Sequence, residues 1–219
     1  MEKKFFNIKL LMIFSLSLLA VLSIQAQQTT DKTAVEKKLY VKGNVLLAPI
    51  GIVNLGLEKQ INNNFTVQGD VVISPWKSFS GHELQYYSLS GEGRYYFNEA
   101  FQGWFVGANI SAATFVLQKW SYWKDEPFPS KNEEGVTYTK SNLYQKGFSV
   151  LFGATLGYQY KLSDKWRMEL YGTIGTSQDF YKGYDRISGK RYDEDPNGYN
   201  RSGEIIPYRG GLMISYQLK

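Results

Sequence analysis

The sequence predicts an all-β protein, an eight-stranded antiparallel up-and-down transmembrane β-barrel of the outer-membrane type. Three observations predict it. From Tyr208 to Leu218 the chain alternates with a period of two: Tyr208, Gly210, Leu212, Ile214, Tyr216 and Leu218 take one face, and Arg209, Gly211, Met213, Ser215 and Gln217 the other. A helical period of 3.6 would scatter both sets. The N-terminus has the layout of an export signal. The connections between strands sort by parity into short and long, as in barrels with short periplasmic turns and longer outer loops.

Residues 1–26 read as a signal peptide, with Lys3, Lys4 and Lys9 ahead of the apolar run Leu10 to Ile24 and small Ala26 at the cleavage point. The run is shorter than the roughly 20 residues of a spanning helix. Residues 27–38 form a polar spacer, and 39–219 the barrel domain. Removing residues 1–26 lowers the formal charge from +5 to +3, because the signal carries three lysines and one glutamate. So small an excess, without a basic cluster, gives no reason to expect nucleic acid as a partner. Zero cysteines exclude disulfides, thiol chemistry and cysteine-built metal sites.

The eight predicted strands run over 40–48, 52–59, 65–74, 85–97, 103–117, 147–160, 166–177 and from Tyr208 to the C-terminus. Pro49-Ile50-Gly51 marks a tight turn, and Pro75 closes the third strand. Short turns near 60–64, 98–102 and 162–165 fall on one side, and the long polar segments 118–146 and 178–204 on the other.

The more apolar parity is expected to face lipid. It carries Val67, Val71 and Ile73, then Leu89 and Tyr95, then Val106, Ala108 and Ile110, followed by Phe148, Val150, Phe152, Leu156, Met168 and Leu170. Phe97, Trp104, Tyr160, Trp166 and Tyr216 near strand ends suit an interfacial girdle. The inward parity holds Lys42, Glu58, Asp70, Glu92, Arg94, Arg167, Glu169 and Arg209, with Asn44, Asn54 and Gln68. Four acids and four bases are expected to pair as a structural network, because an eight-stranded barrel is just wide enough for side chains to fill.

Three stretches then carry a resemblance: LYVKGNVLLAPIGIVNLGLEKQ, EGRYYFNEAFQGWFVGANI and GATLGYQYKLSDKWRMELYGTIG. Within them Asn44, Pro49, Asn54, Leu55, Gly56, Glu58, Arg94, Tyr95, Phe97, Phe105, Gly107, Gly157, Trp166 and Glu169 fit the motif of the domain-of-unknown-function family 3575, which the chain resembles over 39–219. That resemblance implies a small outer-membrane barrel of the Bacteroidetes and no catalytic assignment. The chain departs from the usual barrel ending, closing on Leu218-Lys219 rather than an aromatic residue.

Loop chemistry is sparse. The single histidine, His82, has Ser78, Ser80 and Glu83 close by, which raises a lipid A-modifying esterase or acyltransferase. Trp120, Tyr122 and Trp123, with His82, are candidate surface-loop contacts, or else a strand extended above the membrane. Asp193 to Asn197 is oxygen-rich but lacks the spacing of a calcium loop, so neither metal nor cofactor is expected. The expected function is a monomeric, non-enzymatic protein of the outer membrane, structural or surface-interacting. Its expected partners are outer-membrane lipids and the barrel assembly machinery. A lipid-directed enzyme and a small-ligand-binding barrel are the alternatives.

Overall fold

The computed structural model describes residues 37–130, 133–193 and 198–219. The signal peptide and most of the polar spacer lie outside the described residues. Ten strands are present: β1 (Leu39–Asn44), β2 (Val53–Gln60), β3 (Phe65–Phe79), β4 (His82–Tyr96), β5 (Gly103–Leu117), β6 (Pro127–Pro129), β7 (Thr137–Thr139), β8 (Leu143–Lys161), β9 (Trp166–Asp185) and β10 (Asn200–Gln217). Eight form one closed antiparallel ring in the order β1-β10-β9-β8-β5-β4-β3-β2, while β6 and β7 form a separate hairpin.

Closure is carried by β1, which pairs on one side with β2 and on the other with β10 in the register Tyr40↔Gln217 to Asn44↔Met213. Leu39 N–H donates to Lys219 O at 3.0 Å and Leu218 N–H to Leu39 O at 2.8 Å, so the seam is bonded to the chain end. The seam is short: β10 pairs with β1 only from Met213 to Gln217, and from Asn200 to Gly211 its ladder is with β9 alone.

The expected strand ends need correction. The ring strands reach 15 residues in β3, β4 and β5, and 18 to 20 in β8, β9 and β10. Much of 178–204 is therefore strand rather than loop. Its alternation was hidden because charges share the outward face with rings there: Phe148 stacks on Phe180 at 5.0 Å, while Lys182 lies 4.7 Å from the Tyr199 ring centroid. Nor does Pro75 end β3; it pairs with Gln85, and the hairpin turns at Ser80-Gly81, both at positive φ. In 118–146, residues Trp120–Tyr122 form a single 3-10 turn, which replaces the strand extension expected there.

The last strand holds the most consequential correction. Pro207 lacks an N–H, and the β9–β10 register shifts between Pro207 and Arg209, leaving Tyr208 as a bulge. Below it Arg209, Met213 and Ser215 face inward as expected. Above it parity inverts: Tyr208, Ile206, Glu204 and Ser202 line the interior.

Outside, the ring presents apolar side chains to its surroundings, with Leu170 at 59 % and Ile110 at 54 % exposure, while inside Arg94 and Glu169 stand at 0 %. On β9 the outward set from Trp166 to Thr176 spans about 25 Å, taking ~3.3 Å per residue and a ~40° tilt. Rings cluster at the short-turn end, where Trp104 meets Tyr158 at 5.2 Å and Trp166 meets Tyr216 at 4.9 Å.

That end of the lumen is sealed by Tyr40, Tyr96, Phe101, Phe105, Tyr171 and Met213, all buried. Phe101 comes from the turn after β4 and holds a positive φ of 69°, a conformation costly for a residue with a Cβ. The strain is offset by packing: its ring lies 4.4 Å from that of Tyr40 and 6.1 Å from that of Tyr96. Beneath Phe105, a Cβ on Gly157 would come within 2.4 Å of Phe105 Cζ, so only glycine lets that ring lie flat on the wall. Phe101→Ala is expected to cost about 3–5 kcal/mol, the full range for a buried ring, because the backbone strain persists in alanine and is not relieved. Chemical denaturation in detergent, followed by tryptophan fluorescence, measures it.

Candidate functional site

Above the aromatic seal lies an ionic layer. Lys42 Nζ donates to Glu58 Oε2 at 2.8 Å, to Gln68 Oε1 at 3.0 Å and to Glu169. Arg94 donates from Nε to Glu92 Oε1 at 2.5 Å and from Nη1 to Glu169 Oε2 at 2.9 Å and Glu58 Oε2 at 3.2 Å. Arg209 donates to Glu92 Oε2 at 2.6 Å and to Asp70. Hydroxyls complete the carboxylate shells: Thr66 donates to Glu58 at 2.6 Å and Thr155 to Glu92 at 2.8 Å. The Arg94 guanidinium also lies 4.5 Å over the Phe105 ring, which ties the ionic layer to the seal below it.

Seven of the eight charged residues expected inside meet in this layer. Arg167 does not: its Nη1 donates to Ser163 O at 2.6 Å and Trp166 O at 3.2 Å, clamping the turn before β9. It sits one inward position nearer the turn than Glu169, whose partners are Lys42 and Arg94, so Arg167 stays outside the expected network.

The upper half of the lumen is not filled, contrary to the expectation for eight strands. A cavity of about 560 Å³ opens there, lined by Phe79, Leu84, Tyr86, Phe115, Leu151, Tyr181, Ile206 and Tyr208 among others. A second space of about 350 Å³ shares Leu84, Tyr86 and Tyr208 and reaches down to Arg209. Small inward residues leave the room: Ser149, Ser177 and Ser202 stand where larger side chains would meet across the ring. Tyr208 marks the floor, donating to Asn109 Oδ1 at 2.8 Å over Gly153, where a Cβ would fall 2.8 Å from its hydroxyl.

On the cup wall Asp179 accepts from Ser177 Oγ at 2.6 Å, from Ser202 Oγ at 3.2 Å and from Ser149 Oγ. At the rim His82 stacks on Trp123 with centroids 4.2 Å apart, and Trp123 on Trp120 at 4.6 Å. Three of the four expected loop contacts therefore line the mouth. Tyr122 does not; it packs against Tyr192 and Phe128 in the cluster above, with Tyr138 and Leu143. Burial there pushes the Tyr192 phenol well up, so that hydroxyl stays protonated.

A serine–histidine–acid arrangement is not assembled among the described residues. His82 Nδ1 lies 2.6 Å from Gln118 Oε1, and Glu83 is held by Arg186 through two bonds at 2.8 and 2.7 Å. Asp193 likewise spends its carboxylate on Arg191, Asn200 Nδ2 and Gly183 N–H. The remainder of the oxygen-rich stretch it opens, 194–197, lies outside the described residues. Inward parity had flagged the ionic residues, but nothing local in the sequence marked Asp179 or Tyr208 as cup-lining, since both readings stopped at a presumed loop or missed the bulge.

Lys42→Met should leave Glu58 and Glu169 short of a cation and cost roughly 3–5 kcal/mol, the range for breaking a buried pair. Lys161→Ala, whose partner Asp164 is exposed, should leave the unfolding midpoint unchanged. Equal midpoints for the two variants would contradict a supporting role for the ionic layer.

A sequence model of a protein family, described as a protein of unknown function (DUF3575), matches residues 12–218. No curated protein matches the chain, and neither does any solved structure.

Proposed function

The chain belongs to the DUF3575 family, and from its architecture we propose a non-conducting barrel, set in a lipid bilayer, that works as a one-ended binding cup. The inverted distribution of polarity carries this reading. Charged side chains such as Lys42, Glu58, Glu92, Arg94 and Glu169 are buried at zero to a few per cent exposure in the ionic layer, while Leu55, Leu89, Leu156, Leu170 and Ile174 stand more than half exposed outside. Water around that belt would leave a continuous apolar surface far beyond what a dissolved monomer tolerates. Acyl chains remove the cost, and around the lower ring, where β1 pairs with both β2 and β10, backbone ladders satisfy the N–H and C=O groups that lipid could not.

The aromatic seal and the ionic layer block passage, so the interior is accessible from the long-strand end alone. A concave space of this size with rings on its walls and a few placed polar groups suits a small ligand. Binding without turnover fits the commitments of His82 to Gln118 and of Glu83 to Arg186. An outer-membrane address, with outer-membrane lipids and the assembly machinery as partners, is not retained. The export signal lies outside the described residues, and a belt reports apolar thickness rather than which membrane supplies it.

Leu170→Arg near the middle of the belt is expected to destabilise the lipid-folded state by about 2–4 kcal/mol. Folding into vesicles against guanidinium, read by the boiled-versus-unboiled gel shift, measures this. The bilayer reading fails if the unaltered chain stays monodisperse in buffer free of detergent and lipid. Planar-bilayer recordings of the unaltered chain should show no open-channel current.

A further inference from the structure

Resting on the cup reading above, we propose that the cup binds an organic cation with an apolar body, its charge set against Asp179 and its body against the tyrosine and tryptophan rings. The carboxylate is the first reason. Asp179 accepts three serine hydroxyls, which leaves about one of its roughly four lone-pair sites open. Hydroxyls carry no net charge, and among the described residues no lysine or arginine lies within ion-pair distance of it. A carboxylate held in a partly enclosed, ring-lined space is therefore without its counter-ion, and a ligand cation would supply one.

The lining is the second reason. Of the other charges on the cup wall, Glu83 is neutralised by Arg186, and Glu204 adds a second acid. Lys119, the one lysine or arginine among the described residues that line the cup, holds its ammonium 5.6 Å from the Tyr181 ring centroid. A protein cation already rests on a cup ring, the geometry a ligand cation would adopt. At the mouth Trp120 is 81 % exposed, yet its ring is held by Trp123 in a stack that His82 completes, so it offers an ordered flat face to an entering apolar group. An anion would meet Asp179 and Glu204 with Lys119 alone in its favour.

Isothermal titration of the full chain, folded in a nonionic detergent that brings no quaternary ammonium of its own, tests this. The probes are benzyltrimethylammonium, benzyl alcohol and benzoate. The cation should bind saturably at one site, tighter than the alcohol by at least tenfold, with no binding of benzoate. Asp179→Asn, which keeps the shape, should weaken the cation at least tenfold and leave the alcohol unchanged. Lys119→Ala should tighten the cation, because a like charge is removed. Benzoate binding as well as the cation, no cation binding at millimolar concentration, an unchanged Kd in Asp179→Asn, or a weaker one in Lys119→Ala would each overturn the proposal. Should Asp179→Asn lose its boiled-versus-unboiled gel shift, Lys119→Ala decides alone. Failure of binding in chains that keep the shift removes the ligand class and leaves the bilayer reading standing. Loss of detergent dependence in the unaltered chain removes the bilayer reading itself.

Discussion

The structure depends on the pairing of buried charges across the ring. Each barrel strand has one apolar face, and those faces turn outward, so the inside is left with polar groups and must satisfy them there. Isolated, any one of these ions would cost far more than a domain's net stability. Together they cost little, because each carboxylate of the layer accepts from at least two donors: Glu58 from Lys42, Arg94 and Thr66; Glu92 from Arg94, Arg209 and Thr155; Asp70 from Arg209 and Gln68; Glu169 from Lys42 and Arg94. The participants come from β1, β2, β3, β4, β8, β9 and β10. A ring held along its circumference by backbone ladders is thus also tied across its bore, and the cross-ties fix which residue of each strand sits at that height.

The same layer separates two environments. Below it the seal is aromatic and dry, with the Arg94 guanidinium resting on Phe105 as the contact between the two. Above it the inward residues turn small and hydroxylic, and space opens. This division follows from side-chain size and from the bulge at Tyr208, which turns Tyr208 and Ser202 toward the interior.

How much of this is legible in the chain depends on what kind of signal each feature leaves. Period-two alternation reads directly, and the outward positions of Val71, Phe152 and Leu170 and the inward positions of Lys42, Glu92 and Arg94 follow from it. Alternation fails where both faces are mixed. Lys182 and Arg201 turn outward beside rings, as their contacts with Tyr199 and Phe180 show, so the tops of β9 and β10 read as polar loop. Partner choice is less legible still. Arg167 has the right parity for the ionic layer, but its neighbours are the carbonyls of Ser163 and Trp166, and no local pattern distinguishes a carbonyl clamp from an ion pair. Phe101 reads as part of a turn; that it folds back as a cork depends on Tyr40 of β1, far away in sequence, which joins its neighbours Tyr96 and Phe105.

The bulge at Tyr208 joins the floor to the cup. An unbroken alternation through Pro207 would keep Arg209 inside and send Tyr208, Ile206 and Ser202 to the outer face. The cup would then lose its tyrosine floor and one of the three hydroxyls on Asp179. The inserted residue lets Tyr208 and Arg209 both point inward, one reaching Asn109 and the other Glu92 and Asp70. Pro207 makes this inexpensive, because at that position no N–H is left unpaired when the register slips. One residue without a donor therefore sets the ring on which the upper space rests, and seats it directly beside the cation that completes the ionic layer. The floor of the cup and the layer beneath it are for that reason joined through adjacent residues of one strand, rather than built independently by two halves of a barrel.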